Sequence, residues 1–516
     1  MLKKTLSLLL CGLLLVSVGV SAFAAAAPNA SPVIFIAGFA STPTVDLTSG
    51  DRVFPPSYDD LRPVLREYAF TMLRSLLEKD YAKWEEPLVD ALYRAFDPIR
   101  CDENGDPVIP ATSTAYTPPT GEEIRAKYDP VRGYTAENSI YYSFDWRLDL
   151  KTLAENLHGF IEYVLAQTGA EKVRLIGSSM GGCVLATYMD LYACEYVEKA
   201  IFLSAAFQGA SLAGEPMAGR LEFNGDNLVT FLSAVMGRDV RGELLNTLVD
   251  ILYQFGFTDT VALQANLIRY SVADAVTNRA LRYIFGRLPG FWALVPYDDY
   301  ETAKATMTQG IVSDVFYEKI DFYHEIQGRI PGVLQTAMDR GVQVSVVSKY
   351  GFPAIPATPA QMNVGDMVVD THYSSLGADC APLNAPFTDR GGAFVSPDGY
   401  IDASTCAFPQ TTWFLKNVSH TAHPDCEWAF LETLFSAEAQ PTVDTFPAYP
   451  RFLIETADGR IVPLTAETDY SLYTVPARDL RFLPQLRRFI ENLRKILDAL
   501  FRLAGEKLRP AAAIFA

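Results

Sequence analysis

The feature that most restricts the fold of this chain is an alternation of strand and helix patterns between residues 139 and 205. Apolar runs at 139–146, 172–177 and 200–205 are typical of strands, and helically spaced apolar residues fill the stretches between them. Strand, helix, strand, helix, strand at such short spacing requires a parallel sheet with helices on both faces. We therefore predict an α/β protein with a mostly parallel, doubly wound sheet.

Further strand patterns lie on both sides of this central stretch. The run "PVIFIAG" at 32–38 is apolar throughout, as expected of a strand buried on both faces, and similar runs occur at 342–351 and 411–418. Residues 451–464 read as a small hairpin with Asp458-Gly459 at its turn.

These patterns divide the chain into a core of two parts, 25–210 and 336–440. The first part carries an insertion at 51–135. Helical segments without strands fill 211–335, and we interpret them as a cap inserted into the core. Residues 441–516 hold the hairpin and a basic amphipathic helical tail.

The first 24 residues are typical of a secretory signal peptide. Lys3 and Lys4 precede a short apolar run, and a small-residue cleavage site follows it. A lipidated Cys11 and an uncleaved membrane anchor are the alternatives. We therefore expect the protein to be secreted, at an extracellular or cell-envelope location. Six cysteines remain after cleavage, and the sequence does not select a disulfide pairing.

The charge balance excludes one class of partner. With 43 basic and 61 acidic residues, the chain has a net charge of −18, which argues against binding to nucleic acid. The tail differs, because residues 478–509 contain nine basic and four acidic residues beside an apolar helical stripe. This segment is either a terminal helix docked on the body or an interfacial helix that touches a membrane or the cell envelope.

The stretch "VRLIGSSMGGCVLA" contains the most informative motif, Gly-x-Ser-x-Gly, directly after a strand and before a helix. In that position a sharp turn can expose a serine hydroxyl for nucleophilic attack. Ser179 is the candidate nucleophile and Ser178 is not, because only Ser179 has glycines two residues before and after it. The alternative is a purely structural turn.

A serine hydroxyl needs a general base, which in turn is oriented by a carboxylate. With the chain order serine, acid, histidine, the candidates for the base are His420, His423 and His372, of which we favour His420 in "NVSHTAHPD". For the acid we favour Asp366 over Asp370, because Gly365 marks a turn at a strand end.

Acyl transfer also requires donors to the oxyanion. The candidates are the backbone N–H groups of Met180, which follows the nucleophile, and of Phe39, in the loop after the first strand. The histidines are scattered and metal-binding motifs are lacking, so we expect neither a metal nor a cofactor. In the cap, "GFWALVP" offers candidates for an apolar acyl pocket, although core packing explains them equally well: Phe291, Trp292 and Leu294.

Several of these blocks together resemble the lecithin:cholesterol acyltransferase-like branch of the α/β-hydrolases. They are "PVIFIAGFAS", "YYSFDWRLDL" with its Asp-Trp-Arg, "LIGSSMGG", "VGDMVVDTHYSS" and "NVSH". The resemblance implies an α/β-hydrolase fold with Ser179 as nucleophile, Asp366 as acid and His420 as base, and with Phe39 and Met180 as oxyanion donors.

The chain departs from the family pattern in three places. Ser178 stands where histidine is common, the acid loop reads Gly-Asp-Met-Val-Val, and "AAFQGAS" follows the next strand. We predict a serine hydrolase that cleaves carboxylic esters, with lipid-like esters as the expected partners and water or an alcohol as the acceptor. The alternatives are a non-catalytic envelope binding protein and an amidase or peptidase on the same fold.

Overall fold

The computed structural model describes residues 31–41, 43–113, 119–128, 138–236, 240–354, 357–383, 385–468 and 481–512. Within these ranges the main sheet has eight strands. All neighbouring strands are parallel except for one antiparallel pair at an edge of the sheet, formed by residues 452–455 and 461–463. The prediction of a mostly parallel sheet flanked by helices is therefore confirmed. The expected signal peptide at 1–24 lies outside the described residues.

The strands are β1 (Val33–Ile36), β2 (Thr44–Asp46), β3 (Arg52–Phe54), β4 (Ala111–Ser113), β5 (Ile140–Tyr142), β6 (Val173–Ser178), β7 (Val197–Leu203), β8 (Gln343–Tyr350), β9 (Phe352–Pro353), β10 (Val364–Gly365), β11 (Asp379–Cys380), β12 (Ile401–Asp402), β13 (Thr412–Lys416), β14 (Phe452–Glu455) and β15 (Ile461–Pro463).

The helices are α1 (Tyr58–Glu78), α2 (Glu85–Phe96), α3 (Gly121–Lys127), α4 (Leu150–Thr168), α5 (Met180–Tyr192), α6 (Ser211–Met217), α7 (Gly225–Val235), α8 (Val240–Gln254), α9 (Phe257–Val276), α10 (Arg282–Ile284), α11 (Pro289–Trp292), α12 (Tyr300–Met307), α13 (Asp314–Gln327), α14 (Ile330–Asp339), α15 (Thr371–Ser374), α16 (Asp425–Ser436) and α17 (Phe482–Ala512).

The strand order of the main sheet is β15-β14-β13-β8-β7-β6-β1-β5. From β1 the chain first moves to β5 on one side, and it then returns to β6 on the other side of β1 and continues outward. Such a reversal leaves a crevice at the carboxyl ends of the strands on either side of it. Here those strands are β1 and β6.

Alternate residues of the central strands bury opposite faces of the sheet. On β1, Ile34 and Ile36 belong to a large core shared with α4, α5 and α14, whereas Val33 and Phe35 belong to a second core shared with α16. Both faces are thus covered, which explains why these strands read as continuous apolar runs in the sequence.

The stretches outside the central alternation hold further helices and a small separate sheet. Residues 51–135 include α1 to α3, and β2, β3 and β4 form a separate antiparallel sheet in the order β3-β2-β4. The range 211–335 holds helices α6 to α13 and the start of α14, as predicted for a helical segment. The hairpin near residue 460 is not a unit apart from the core, because β14 pairs in parallel with β13 and extends the main sheet.

The tail forms one helix, α17, that packs against α8. Across the part of the chain that the structure describes, no helix combines the length and the apolar character needed to cross a bilayer.

Candidate active site

The crevice between the carboxyl ends of β1 and β6 brings together two predicted blocks. The loop after β1 contains Gly38 and Phe39, and the turn after β6 contains Ser179. A methyl group placed on Gly38 would lie 2.7 Å from Cβ of Ser179. The first loop therefore passes directly over the candidate nucleophile, and only a glycine fits at the point of contact.

Ser179 has a backbone conformation that side-chain-bearing residues rarely adopt. Its φ is 55° and its ψ is −126°. Its N–H donates to the carbonyl oxygen of Leu203 at 3.1 Å, and its own carbonyl oxygen accepts from the N–H groups of Gly182 and Ala206, both at 3.0 Å. These bonds to β7 and α5 hold a turn that costs about 1–3 kcal/mol in strain.

The glycines of the motif allow α5 to start close to β1. A methyl group on Gly181 would lie 2.5 Å from the carbonyl oxygen of Ala37 and closer still to that of Ile36. A methyl group on Gly177 would lie 2.9 Å from Cα of Gly182. The small residues around Ser179 are therefore required by backbone-to-backbone packing.

Two N–H groups flank Ser179 and are available to a ligand. Within the described ranges, neither the N–H of Met180, at the start of α5, nor that of Phe39 has an acceptor. The ring of Phe39 is fixed by Trp146, with ring centroids 4.2 Å apart. Unpaired N–H groups at a helix start beside a serine can stabilise a developing negative charge.

The Asp-Trp-Arg block braces this loop. Arg147 is fully buried and donates two hydrogen bonds to Asp145, at 2.9 and 2.8 Å. The indole N–H of Trp146 donates to Oγ1 of Thr44 at 3.3 Å. The carbonyl oxygen of Arg147 accepts from the N–H of Gly290 at 3.1 Å, so the block also anchors the cap at α11.

Asp366 and His420 form a close pair at the same end of the sheet. Nδ1 of His420 lies 2.7 Å from Oδ2 of Asp366, and the N–H of His420 donates to the carbonyl oxygen of Asp366 at 2.8 Å. Oδ1 of Asp366 accepts from the N–H groups of Val368 and Val369 at 3.1 and 2.8 Å. The acid is thus fixed on both oxygens, and it engages one nitrogen of the imidazole.

The electrostatics of the pair favour the ionised acid. Burial by itself raises the pKa of Asp366, but the neighbouring His420 and the hydrogen bonds to the carboxylate outweigh it, so the pKa lies below its usual value of 3.8. An ionised carboxylate on Nδ1 fixes the tautomer of the ring and leaves Nε2 free to accept a proton.

The other candidates from the sequence have different partners. Asp370 accepts from the N–H and hydroxyl of Ser211 at 2.8 and 2.9 Å, which ties the acid loop to the first cap helix. Nδ1 of His423 lies 2.7 Å from Oε2 of Glu427, and Nδ1 of His372 lies 2.8 Å from the carbonyl oxygen of Ala378. Among the three histidines considered, only His420 contacts the favoured acid.

A buried ion pair beneath the histidine loop was missed in the sequence. Nζ of Lys349 lies 2.8 Å from Oε1 of Glu427, and both side chains are fully buried. Lys349 also donates to the carbonyl oxygen of Ala422 at 2.8 Å, and Glu427 holds His423. Both contacts clamp the loop that carries His420. The signal that could have found it is a lysine inside the apolar run "VQVSVVSKY".

The three predicted pocket residues occupy different environments. Phe291 is half-buried and its ring centroid lies 6.0 Å from that of Phe39, which brings it next to the candidate site. Leu294 is also half-buried, and its carbonyl oxygen accepts from the N–H of Ala210 at 2.8 Å.

The environment of Trp292 agrees with the alternative of core packing. It is buried in the interior of the cap against Tyr300 and Phe316, and its indole N–H donates to the carbonyl oxygen of Gly286 at 3.1 Å. We therefore assign Trp292 to the packing of the cap, because its ring and its indole N–H both find partners within that core.

Most of the cysteines are buried. The six cysteines in the described part of the chain are free thiols, and burial raises the pKa of Cys101, Cys183 and Cys406 to about 12. Over the same residues, the structure contains no group of three or more side chains suited to hold a metal ion.

Comparisons with known proteins give one family match. Residues 129–240 match the sequence profile of the family described as Lecithin:cholesterol acyltransferase. No curated protein matches the chain. Among solved structures, one chain of "The crystal structure of Tle4-Tli4 complex" is similar with a TM-score of 0.30 and 13% identity, over 67% of this chain and 89% of that one.

The family match covers the Asp-Trp-Arg block, the turn at Ser179 and the start of the cap. The predicted resemblance to the lecithin:cholesterol acyltransferase-like branch is confirmed over this range, and the sheet has the α/β-hydrolase arrangement. The match supports an acyl-transferring or hydrolytic enzyme of the α/β-hydrolase type.

Proposed function

We propose that this chain is a serine hydrolase that cleaves carboxylic esters of lipid-like substrates through an acyl-serine intermediate. The observation that carries the proposal is the Asp366–His420 pair, with 2.7 Å between Oδ2 and Nδ1, at the same sheet edge as the strained Ser179. A carboxylate that fixes a histidine, at the same sheet edge as a serine on a tight turn, supports activation of the serine hydroxyl.

In the first half of the reaction, Nε2 of His420 takes the proton of the Ser179 hydroxyl as Oγ attacks the ester carbonyl carbon. The negative charge that develops on the carbonyl oxygen is met by the N–H groups of Phe39 and Met180. The carbon–oxygen bond to the alcohol then breaks, and His420 gives its proton to the departing oxygen.

In the second half, His420 removes a proton from water or from an acceptor alcohol, which attacks the acyl-serine carbonyl. The bond to Oγ breaks and the proton returns to Ser179. Hydrolysis and transfer share every one of these steps, and they differ only in which acceptor reaches the intermediate.

A lipid-like acyl group is supported by the apolar side chains beside the site. Phe39 and Phe291 lie next to each other, and Phe291 also contacts Phe285 with ring centroids 5.4 Å apart. The family match to an acyltransferase of lipids points to the same substrate class. We therefore expect long-chain esters to be turned over in preference to acetyl esters.

The first test is labelling of the protein with a fluorophosphonate probe, beside the variants Ser179→Ala and Ser178→Ala. We expect the wild type and Ser178→Ala to label and Ser179→Ala to remain unlabelled, since only an activated hydroxyl reacts with this probe. Ser178 is a matched control because it is the adjacent buried serine, at the end of β6.

Absence of labelling in the wild type, with and without detergent to open the cap, would contradict the proposal and favour the non-catalytic binding protein. A labelled enzyme that hydrolyses an anilide as fast as the matched ester would instead indicate an amidase or peptidase. The expected result is turnover of the ester alone.

Export is a further part of the proposal, and it rests on the sequence of the first 24 residues. N-terminal sequencing of the protein recovered outside the cytoplasm tests it: the expected first residue follows Ala24. Recovery of the intact N-terminus would contradict cleavage at that position.

A further inference from the structure

The terminal helix α17 docks on α8 through its polar side. Nε of Arg488 and Nδ2 of Asn492 both donate to Oδ2 of Asp250, at 3.0 and 2.6 Å. Asn492 and Ala499 are buried against the body, as their spacing of seven residues along the helix requires. An ion pair and an amide thus join α17 to α8.

The apolar side of α17 faces solvent. Its exposed members recur every three or four residues, which places them on one face of the helix. They are between 42% and 73% exposed, and we call them the leucine stripe: Leu483, Leu486, Ile490, Leu493, Leu497 and Leu500. A surface helix of a soluble protein normally buries such a face.

The leucine stripe continues onto the neighbouring helix. Phe489 of α17 contacts Phe255 just after α8, with ring centroids 5.9 Å apart, and Phe255 is 69% exposed. Further exposed apolar residues on α8 recur at the same helical spacing: Leu245, Leu248 and Leu252. An exposed apolar surface of several adjoining side chains marks an interaction site.

The charges beside the leucine stripe indicate what covers it. Helix α17 has seven basic and three acidic residues in a chain whose net charge is −18. Arg487 and Arg494 are exposed and border the leucine stripe directly, while the exposed Glu491 and Asp498 lie one position further round the same side of the helix. Helical spacing therefore puts two cations along one edge of the apolar face. Apolar side chains flanked by arginines fit a surface that is apolar inside and anionic outside.

A second copy of the chain fits this face less well. In a coiled coil built on the leucine stripe, Arg487 and Arg494 would occupy the flanking positions that normally pair opposite charges. An antiparallel pair would bring these arginines together, and a parallel pair would set them against Phe489 and Ile496. In neither arrangement does the second copy set a carboxylate directly opposite the two cations.

We propose that the leucine stripe and its continuation on α8 dock the protein on the surface of an anionic lipid bilayer, with α17 lying in the interface. This proposal names the partner surface and stands apart from the catalytic one, because it uses none of the residues of the candidate active site. The two can fail separately, and the experiment below separates them.

The test is co-sedimentation of the full chain carrying Ser179→Ala, which removes the candidate nucleophile, with vesicles. One set contains phosphatidylcholine alone and the other adds phosphatidylglycerol. We expect binding to the anionic set, weakened when salt shortens the range of the charges. Leu493→Glu with Leu497→Glu should weaken it by about tenfold or more.

The matched control is Leu47→Glu, at a leucine that is 65% exposed in the core part of the chain and should bind like the parent. The same substitutions in the Ser179 background should leave hydrolysis of a water-soluble short-chain ester unchanged, so a loss of vesicle binding is not mistaken for a loss of catalysis. Equal binding by the double variant and the parent would overturn the proposal, as would a lack of binding to either vesicle.

Light scattering after size exclusion completes the test. We expect a monomer at concentrations where the vesicles are bound. A dimer that Leu493→Glu with Leu497→Glu disrupts would overturn the proposal and assign the leucine stripe to a second copy of the chain.

Discussion

Ser179 and Asp366 are held by different means although both belong to the candidate site. Ser179 keeps a positive φ because backbone bonds to β7 and α5 leave no relaxed alternative. Asp366 is held by two N–H donors and by His420, in a place where water does not reach it. Backbone hydrogen bonds thus hold Ser179 in a strained conformation, whereas Asp366 is held by hydrogen bonds to both of its carboxylate oxygens.

Asparagine at position 366 tests the role of the acid. Asp366→Asn keeps the size of the side chain but removes the charge and can donate to Nδ1, which favours the wrong tautomer of His420. We expect kcat for a soluble ester to fall by about 10³- to 10⁴-fold, with the fold retained. Steady-state kinetics measures kcat, and circular dichroism checks that the fold is retained.

The comparison variant is Asp370→Asn, whose side chain contacts Ser211 rather than a histidine. We expect it to retain kcat within about tenfold, since it acts on the cap and not on the base. Equal losses in the two variants would remove the assignment of the acid to Asp366.

At the scale of elements, the turn between β6 and α5 depends on how closely the start of the helix approaches β1. Cα of Gly181 lies against the carbonyl groups at the end of β1, so this helix could not begin here with a larger residue. The Gly-x-Ser-x-Gly spacing is thus a packing requirement of the strand–turn–helix unit as well as a mark of the nucleophile.

Two glycine-to-alanine substitutions, one expected to lower and one to raise the free energy of unfolding, test this packing. Gly181→Ala places a methyl group against the carbonyl oxygens of Ile36 and Ala37, and we expect it to lower the free energy of unfolding by about 2–4 kcal/mol. Gly159→Ala, on an exposed position of α4 with open space around it, should raise stability by about 0.5–1 kcal/mol.

Chemical denaturation measures both values. If Gly181→Ala proved as stable as the wild type, the close approach of α5 to β1 would be wrong. A loss of stability in Gly159→Ala would show that free space around a glycine does not by itself decide whether alanine raises or lowers the free energy of unfolding.

The elements of the core could be predicted from the sequence because their apolar periodicity is strong. The strands at 32–38, 172–177, 342–351 and 411–418 correspond to β1, β6, β8 and β13 within a few residues. Helix boundaries were less certain: Thr152-x-x-Glu155 reads as a capping box, yet α4 starts at Leu150 with Asp149 as its N-cap. The carboxylate of Asp149 accepts from the N–H of Thr152 at 3.0 Å, so the helix begins before the predicted box.

At the scale of the molecule, part of the protein's stability depends on buried charge. Asp366 and Glu427 are both fully buried, and the pKa of each lies below its ordinary value because the attraction of cationic partners and hydrogen bonds outweighs burial. A carboxyl group whose pKa is lowered in the folded state stabilises the fold at pH values above its ordinary pKa. This stabilisation is lost as the pH falls through the pKa that the group has in the folded state.

We therefore expect the thermal midpoint to be nearly constant above about pH 5 and to fall as the pH drops below about 4. Glu427→Gln leaves Lys349 buried without a counter-charge and should cost about 3–5 kcal/mol at neutral pH. Adding Lys349→Met should recover much of that loss and make the midpoint less sensitive to acid. Calorimetry of the wild type, Glu427→Gln and the double variant from pH 3 to pH 7 measures these midpoints.

An acid sensitivity that is the same in the wild type and the double variant would show that this ion pair does not contribute to the pH dependence. A double variant as unstable as Glu427→Gln alone would mean that the unpaired lysine is not the cause of the loss.

What escaped prediction at this scale lies in contacts between distant segments. The sequence near residue 460 signals a hairpin but not that β14 joins β13, because strand pairing across a helix leaves no local trace. The stripe of α17 was visible, but not that α8 would bind its polar side and leave the leucines exposed. The pairing of Lys349 with Glu427, 78 positions apart, is of the same kind.

The order in which the sheet is threaded has a consequence for when the protein can act. The serine follows β6, whereas the acid and the histidine arrive only after the whole cap, with His420 nearly at the end of the core. If Ser179 and His420 act as proposed, a nascent chain that has emerged as far as the cap carries the nucleophile without its base, and long-range strand pairing such as that of β8 with β13 is expected to be slow. The proposed ester cleavage would then begin only when folding is complete, so its onset would report when the chain has finished folding.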